Sequence, residues 1–402
     1  MKLNKIRVGD LDIRGKRIFT RVDFNVPLAK TGSISDDTRI VASLPTIKYM
    51  AGKGGRIVLT SHLGRPDGKK VPEMSLKPVS ERLAGLLGKP VAFTDDCISA
   101  DAKKATRGLK DGEVLLLENL RFYKEEEKND EKFSASLAEH GELYVNDAFG
   151  TAHRAHASTV GVTRFMKQSA AGFLMEKEIT NLGRLLENPE RPFAGIIGGA
   201  KVSDKVKMIR NLLGRLDMLI IGGAMMFTFL KANGKTIGKS FFEEKSLDVA
   251  LEIMKEAKKA GTDLIMPSDC VVSESLEKAV NARAVSCEAI PDNVYGVDIG
   301  PASREEFSKR LGLAKTIFWN GPLGIFEIPE FSEGTLSTAK ALGKLGERGV
   351  MTVVGGGDSA SAISKAGVKD KVTHVSTGGG ASLEFLEGNE LPGVAALTDR
   401  SV

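Results

Sequence analysis

Short apolar runs alternate with longer amphipathic stretches along almost the whole chain. In the first half, Arg17–Asn25, Arg56–Thr60, Glu113–Leu117 and Leu143–Asn146 read as strands, while Asp37–Met50 and Leu76–Leu87 carry helical spacing. In the second half the strand pattern falls at Ala194–Ile197, Met218–Ile221, Leu264–Met266, Thr316–Trp319, Val350–Val354 and Val372–Val375. The intervening helical pattern covers Lys205–Leu216, Leu247–Lys259 and Ser359–Lys365. Continuous apolar strands separated by helices predict parallel sheets covered on both faces. A chain of 402 residues exceeds one ordinary core, so two domains are expected. Apolar residues at helical spacing over Leu174–Leu186, stopped by Glu187-Asn188-Pro189-Glu190-Arg191-Pro192, make a linker helix and a candidate hinge. The expected fold is therefore α/β, with two similar-sized, Rossmann-like domains, each a parallel sheet flanked by helices, joined by a helical hinge.

Composition narrows the function classes. Lys plus Arg number 57 and Asp plus Glu 52, a net charge of +5. Both signs are spread along the chain, without the basic block that nucleic acid requires. The mixed-sign run Lys124–Lys132 reads as a solvated helix face. Three cysteines, Cys97, Cys270 and Cys287, lack CxxC spacing and suit a reducing, cytoplasmic setting without disulfides. Met1–Leu11 alternates apolar and charged residues and carries no signal-peptide core. The apolar run Met218–Leu230 is broken by Gly222-Gly223 and is too short to span a bilayer, so it reads as strand, turn and helix. No membrane partner is expected.

The chemistry-bearing motifs follow the strands, where ligands bind in open parallel sheets. After the second-half strands come glycine-rich stretches: Gly198–Lys205, Gly222-Gly223-Ala224, Gly355–Ser359 and Gly378–Ser382. They read as loops that let a polyphosphate approach backbone N–H groups. There is no G-x-x-x-x-G-K-[ST] and no protein-kinase signature. Gly355–Ala360 satisfies the loose dinucleotide pattern G-x-G-x-x-A, but the next strand ends in Ser376-Thr377, without an acid for a ribose hydroxyl. Asp358 at a helix start would repel a bare pyrophosphate, which favours a Mg²⁺-nucleotide over a nicotinamide cofactor. Lys201 and Lys205, four residues apart, are placed to share a helix face near phosphates, although surface lysines at that spacing are common. Either triple glycine, taken alone, is equally a tight turn.

First-half strands are followed instead by Arg39, His62, Arg65, Arg121, Arg154 and His156. Forked guanidinium donors converging on one cleft suit a small phosphorylated acid. Asp23 and Asn25 fall on one face at a strand end. Ser35 or Asp36 is the candidate N-cap that puts Arg39 in the first helical turn, where a cation opposes the macrodipole unless an anion binds. A solvated Arg39 accounts for that position equally well, and each histidine alone is more often structural. His153 and His156 lack the partners of a zinc site. An anion-gripping half and a polyphosphate half together point to phosphoryl transfer between two separately bound substrates.

In their order and spacing, RVDFNVP (Arg21–Pro27), DDTRI (Asp36–Ile40), SHLGRP (Ser61–Pro66), ENLRF (Glu118–Phe122), NDAFGTAHRAHAS (Asn146–Ser158), GGAKVSDK (Gly198–Lys205), WNGPLGIFE (Trp319–Glu327), GGGDS (Gly355–Ser359) and STGGGAS (Ser376–Ser382) resemble the phosphoglycerate kinase family over essentially the whole chain. The resemblance implies a hinge-bending monomer. Its residues 1–173 would bind 3-phosphoglycerate or 1,3-bisphosphoglycerate through Asp23, Phe24, Asn25, Arg39, His62, Leu63, Gly64, Arg65, Arg121 and Arg154. Residues 174–192 would form the hinge. Residues 193–390 would bind MgADP or MgATP through Lys205, Gly296, Glu327, Gly356, Gly357, Asp358 and Ser359, with Asp358 as the metal's only protein ligand. Residues 391–402 would return to the first domain. Arg39, Lys201, Lys205, Gly379 and Gly380 would stabilise the migrating phosphoryl group. The loop Ala29–Ser35 departs from the family's commoner wording at Thr31-Gly32-Ser33, away from these positions. Other readings are a kinase for another phosphorylated carboxylic acid, an NAD-dependent dehydrogenase, and a non-catalytic binding protein on this fold.

Overall fold

The structure, a computed structural model, describes residues 4–29 and 32–400. Lys30 and Thr31 of the unusual loop, the first three residues and the last two of the tail lie outside the described residues. The chain divides into two units, Lys2–Thr180 with Glu390–Val402, and Asn181–Asn389.

In the first unit six strands, β1 (Arg17–Val22), β2 (Arg56–Thr60), β3 (Ala92–Phe93), β4 (Val114–Leu116), β5 (Leu143–Asp147) and β6 (Ser169–Ala171), form one parallel sheet in the order β3-β4-β2-β1-β5-β6. The central strand β1 is buried on both faces, Thr20 and Arg21 included, and it pairs with β2 on one side and β5 on the other. The helices are α1 (Thr38–Gly52), α2 (Lys77–Leu87), α3 (Ala100–Gly108), α4 (Lys124–Glu127), α5 (Glu131–Ala138) and the start of α6 (Phe173–Glu187). Local chemistry sets their ends. Asp130 caps α5 by accepting the Phe133 N–H at 2.9 Å, and Gly88, in the left-handed conformation, closes α2. Asp147, at the end of β5, accepts the Leu174 and Met175 N–H groups at 2.9 and 3.2 Å and so holds the first turn of α6. The tail folds onto this unit: Lys5 donates to the Ala395 and Leu397 carbonyls at 2.8 Å, and Leu391, Val394 and Leu397 are buried.

In the second unit β7 (Phe193–Ile197), β8 (Met218–Ile221), β10 (Asp263–Ile265), β15 (Thr316–Asn320), β16 (Met351–Gly355) and β17 (His374–Val375) form a second parallel sheet, in the order β10-β8-β7-β15-β16-β17. Helices α7 (Val206–Leu213), α8 (Met225–Ala232), α9 (Leu247–Ala260), α10 (Pro301–Leu311), α11 (Glu333–Glu347), α12 (Gly357–Lys365) and α13 (Gly380–Leu386) accompany it. Two small sheets were not expected. One is antiparallel, from β11 (Asp269–Ser273), β12 (Arg283–Ser286) and β14 (Tyr295–Ile299); the other pairs β9 (Thr236–Ile237) with β13 (Ala289–Ile290). Their strands are short, β12 is largely exposed, and polar residues interrupt β11 and β14, so they carry no continuous apolar signal.

Three local expectations are corrected. β1 ends at Val22, so Asp23 and Asn25 lie in the turn beyond it, where the Asn25 N–H reaches Asp23 Oδ1 at 3.3 Å. The N-cap of α1 is Asp37, and Asp36 Oδ1 accepts the Thr38 N–H instead. The run Lys124–Lys132 is not one solvated face: it is split between α4 and α5, and Glu126 within it is fully buried.

Candidate active site

In each six-stranded sheet all strands are parallel, so their carboxyl ends share one edge, and the motifs line that edge. At the first sheet a set of hydrogen bonds ties three strand ends together. The Phe24 N–H donates to Ser61 Oγ at 2.9 Å, and the Gly64 N–H to Asn25 Oδ1 at 2.9 Å. Arg121 Nη1 donates to the Gly64 carbonyl at 2.8 Å, and Asn119 bonds both the N–H and the carbonyl of Leu63. Arg39, in the first turn of α1, donates through Nη1 to Asp23 Oδ2 at 2.8 Å. Arg154 donates through Nε to His153 Nε2 at 3.1 Å, and Arg65 is exposed. Arg121 is buried, its Nε is 3.2 Å from Glu127, and its Nη2 has no partner among the described residues. A buried guanidinium nitrogen left open beside three other arginines is a ready donor for an anion oxygen.

His62 lies within this cluster. Burial, then the charges of Arg21, Arg121, Arg39 and Arg154, hold its pKa well below the ordinary imidazole value. The ring is therefore neutral near pH 7. Arg21 Nη2 is 3.1 Å from Nδ1, and a guanidinium only donates, so Nδ1 is the acceptor and the proton sits on Nε2. The same surroundings, with burial first, push His156 down to about 3. The structure thus brings together Asp23, Asn25, Arg39, His62, Gly64, Arg121 and Arg154. Sequence reasoning missed Arg21, Ser158 and Glu126, which lie beneath them; an arginine inside the apolar run of β1 was the available signal for the first.

At the second sheet Lys205, immediately before α7, contacts Asn320 Oδ1 at the end of β15, and Asn320 Nδ2 donates to the Gly355 carbonyl at 2.8 Å. Burial lowers the Lys205 pKa, while the Asp204 and Asp358 carboxylates oppose that shift. Asp358 is exposed in the first turn of α12. No group of three or more His, Cys, Asp or Glu positioned for a metal occurs among the described residues. A lone exposed carboxylate fits an ion that keeps water and phosphate as its other ligands. Space around Gly357 and Gly379 is open: a Cβ at either would meet nothing within 4 Å. Gly380 opens α13. Gly296, on β14, packs so closely on the Phe227 ring that a Cβ would lie 2.0 Å from it. Glu327 is exposed, and the adjoining Phe326 ring has Lys365 of α12 4.6 Å from its centroid.

Two expectations change here. Lys201 and Lys205 do not share a helix face, because α7 begins at Val206 and Lys201 is exposed in the preceding turn. Gly198, Gly199, Gly222 and Gly223 do not offer their N–H groups to a ligand, since these donate to Asn320, Pro322, Ile197 and Leu323 carbonyls at 2.8–3.1 Å. These glycines serve backbone packing: a Cβ on Gly223 would lie 2.5 Å from the Gly199 nitrogen. Ser359 is fully buried, and its hydroxyl accepts the Gly321 N–H at 2.7 Å. Trp319 is fully buried near the end of β15, where its Nε1–H donates to the Gly321 carbonyl at 2.8 Å.

An arginine basin on one parallel sheet and a lysine, carboxylate and open glycine turn on another define an α/β phosphotransferase. The phosphoglycerate kinase family model matches residues 8–389. A cytosolic phosphoglycerate kinase of Triticum aestivum is 52% identical over 392 residues, covering 98% of each chain. A chloroplastic one of Volvox carteri is 53% identical over 400 residues, covering 98% of this chain and 87% of its own. The structure of phosphoglycerate kinase from Coxiella burnetii superimposes with a TM-score of 0.89 at 40% identity, covering 99% of this chain and 100% of that one. The chain belongs to the phosphoglycerate kinase family.

Proposed function

We propose that the chain catalyses reversible, Mg²⁺-dependent phosphoryl transfer from 1,3-bisphosphoglycerate to ADP, giving 3-phosphoglycerate and ATP. The observation that carries this reading is the arginine cluster around neutral His62, with the open Nη2 of buried Arg121 in it. It suits a phosphorylated carboxylic acid better than a nicotinamide substrate, and family membership narrows the acid to phosphoglycerate. Asp23, Phe24, Asn25, Arg39, His62–Arg65, Arg121 and Arg154 are assigned to that substrate. Lys205, Gly296, Glu327 and Gly356–Ser359 are assigned to the nucleotide.

An acyl phosphate is already activated, so the protein's work is alignment and charge neutralisation. Arg39, Lys201 and Lys205, with the amides at Gly379 and Gly380, are assigned to the charge on the migrating group. The acceptor oxygens are ionised and need no general base. Magnesium held at Asp358 would supply positive charge to the nucleotide phosphates. Transfer needs the two bound substrates adjacent and shielded from water, and residues 174–192 are given the hinge role. No helix is long and apolar enough to cross a membrane among the described residues. A cytoplasmic monomer completes the proposal, with a cytosolic relative in support.

The test is ATP consumption with 3-phosphoglycerate, coupled to detection of the acyl phosphate. ATP-dependent acyl phosphate specific to 3-phosphoglycerate is expected; product only with a different phosphorylated acid would reassign the substrate.

A further inference from the structure

Beneath the arginine basin a buried chain of side chains runs from Glu126 to His62. Glu126 accepts the Ser158 hydroxyl on Oε1 at 2.6 Å and the Ser158 N–H on Oε2 at 2.9 Å. Ser158 has one hydroxyl hydrogen, and Glu126 takes it. Its oxygen therefore meets Arg21 Nε as an acceptor, at 2.8 Å. Arg21 Nη1 donates to the Val22 carbonyl, and Nη2 donates to His62 Nδ1 at 3.1 Å. Tyr144 pins Ser158 from the other side, its hydroxyl donating to the Ser158 carbonyl at 2.7 Å. Glu126 and Ser158 are fully buried, Arg21 is 1% exposed and His62 4%.

A guanidinium this deep needs its charge balanced and its fork aimed. Glu126 balances it through Ser158, and Nε, Nη1 and Nη2 of Arg21 each spend a donor, on Ser158, Val22 and His62. We propose that Ser158 and Glu126 are positioning residues: they hold Arg21 so that it keeps His62 as the neutral Nε2–H tautomer, the form that donates one hydrogen bond to the bound acid. The inference rests on the phosphoglycerate reading of this basin. Neither residue need touch the substrate.

Nitrogen-15 NMR of His62 in the wild-type protein at pH 7 reads the tautomer directly, without any variant. The Nε2–H form is expected; a protonated ring or the Nδ1–H form overturns the proposal. Ser158→Ala removes the oxygen that Arg21 Nε bonds, and Glu126→Gln removes the balancing charge while keeping the shape. Either variant should mix the tautomers and raise KM for 3-phosphoglycerate about tenfold, the effect of leaving one buried donor unpaired. KM for MgATP should stay constant, which a general loss of folding would not produce. Variants that leave the tautomer and the phosphoglycerate KM unchanged overturn the inference while the functional reading stands. A wild-type protein that fails to bind 3-phosphoglycerate by calorimetry overturns both.

Discussion

Arg39 and Asp23 are joined by a 2.8 Å ion pair between the first turn of α1 and the residue that follows β1. The carboxylate is nearly buried while the guanidinium is about one-third exposed, with side-chain exposures of 8% and 36%. Asp23 therefore restrains Arg39 in one orientation without using all of its donors. That is a suitable resting state for a cation whose task is to meet charge that develops later.

The first prediction concerns that task. Arg39→Ala should lower kcat by about 10³, the lower range for removing an arginine from a phosphoryl-transfer site. Thermal stability should fall modestly, because the nearly buried Asp23 carboxylate loses its partner, while relief of the unfavourable helix-dipole contact offsets only a few tenths of a kcal/mol. Arg39→Lys should recover only part of the rate, since an ammonium lacks the fork. Steady-state kinetics on the folded variants is the check, and a kcat within a few-fold of wild type removes Arg39 from the chemistry.

Asp358 supplies a second prediction. Asp358→Ala should weaken MgADP binding and leave 3-phosphoglycerate binding intact, because the residue is exposed at the start of α12 in the second unit while the arginine basin lies in the first. Titration calorimetry with each ligand separately reads both. The reverse pattern would reject the assignment of the two substrates to the two units.

The glycines separate into two kinds, and two alanine variants distinguish them. At Gly223 φ is +65° and an added Cβ would meet the Gly199 nitrogen at 2.5 Å and the Pro322 carbonyl oxygen at 2.6 Å. Backbone cannot yield as a side-chain tip does, so Gly223→Ala should cost about 3 kcal/mol through strain and overpacking. At Gly357 nothing lies within 4 Å and the residue is helical, so Gly357→Ala should leave stability unchanged or slightly raised. Its effect should appear in nucleotide affinity, because the added methyl occupies the open approach to the helix start. Urea unfolding beside MgADP titration measures both. Equal loss of stability in the two variants would refute the division.

Much of this was legible in the sequence, and the exceptions share a cause. The parallel sheets were visible because strands such as Met218–Ile221 are buried throughout and so read as unbroken apolar runs. The motif positions were visible because chemistry in this architecture collects after strand ends. What escaped depends on contacts distant in sequence. Gly198 and Gly223 look like phosphate loops until Asn320 and Leu323 are seen taking their amides. Glu126 sits in the charged run KEEEK, and nothing local distinguishes the one glutamate that Ser158, 32 residues away, draws inside.

Two buried titratable groups give the last prediction, in which opposing slopes must be separated. Burial raises the Asp298 carboxyl from 3.8 to about 7, against the Gly334 and Ile299 N–H groups that favour its ionised form. Its stabilising contribution is present below pH 4 and is lost as pH rises through 7. Burial lowers His140 from 6.5 to about 4, against the Cys97 carbonyl that Nε2 donates to at 2.9 Å. That contribution is present above pH 6.5 and is lost as pH falls through 4. Across the same interval the two therefore work in opposite directions, and a whole-chain unfolding curve would partly hide both. They lie in different units, however, and the chain has a single tryptophan, Trp319, buried in the unit that holds Asp298. Trp319 fluorescence therefore reports the Asp298 unit. Asp298→Asn should flatten its stability between pH 4.5 and 7, removing a decline of up to about 4 kcal/mol at about 1.4 kcal/mol per tenfold change in proton affinity. The fluorescence-detected slope should be untouched by His140→Gln, which should instead flatten the acid-side loss in the unfolding phase seen only by circular dichroism. Identical slopes in wild type and Asp298→Asn would mean that the Asp298 carboxylate stays ionised in place, held by its two N–H donors.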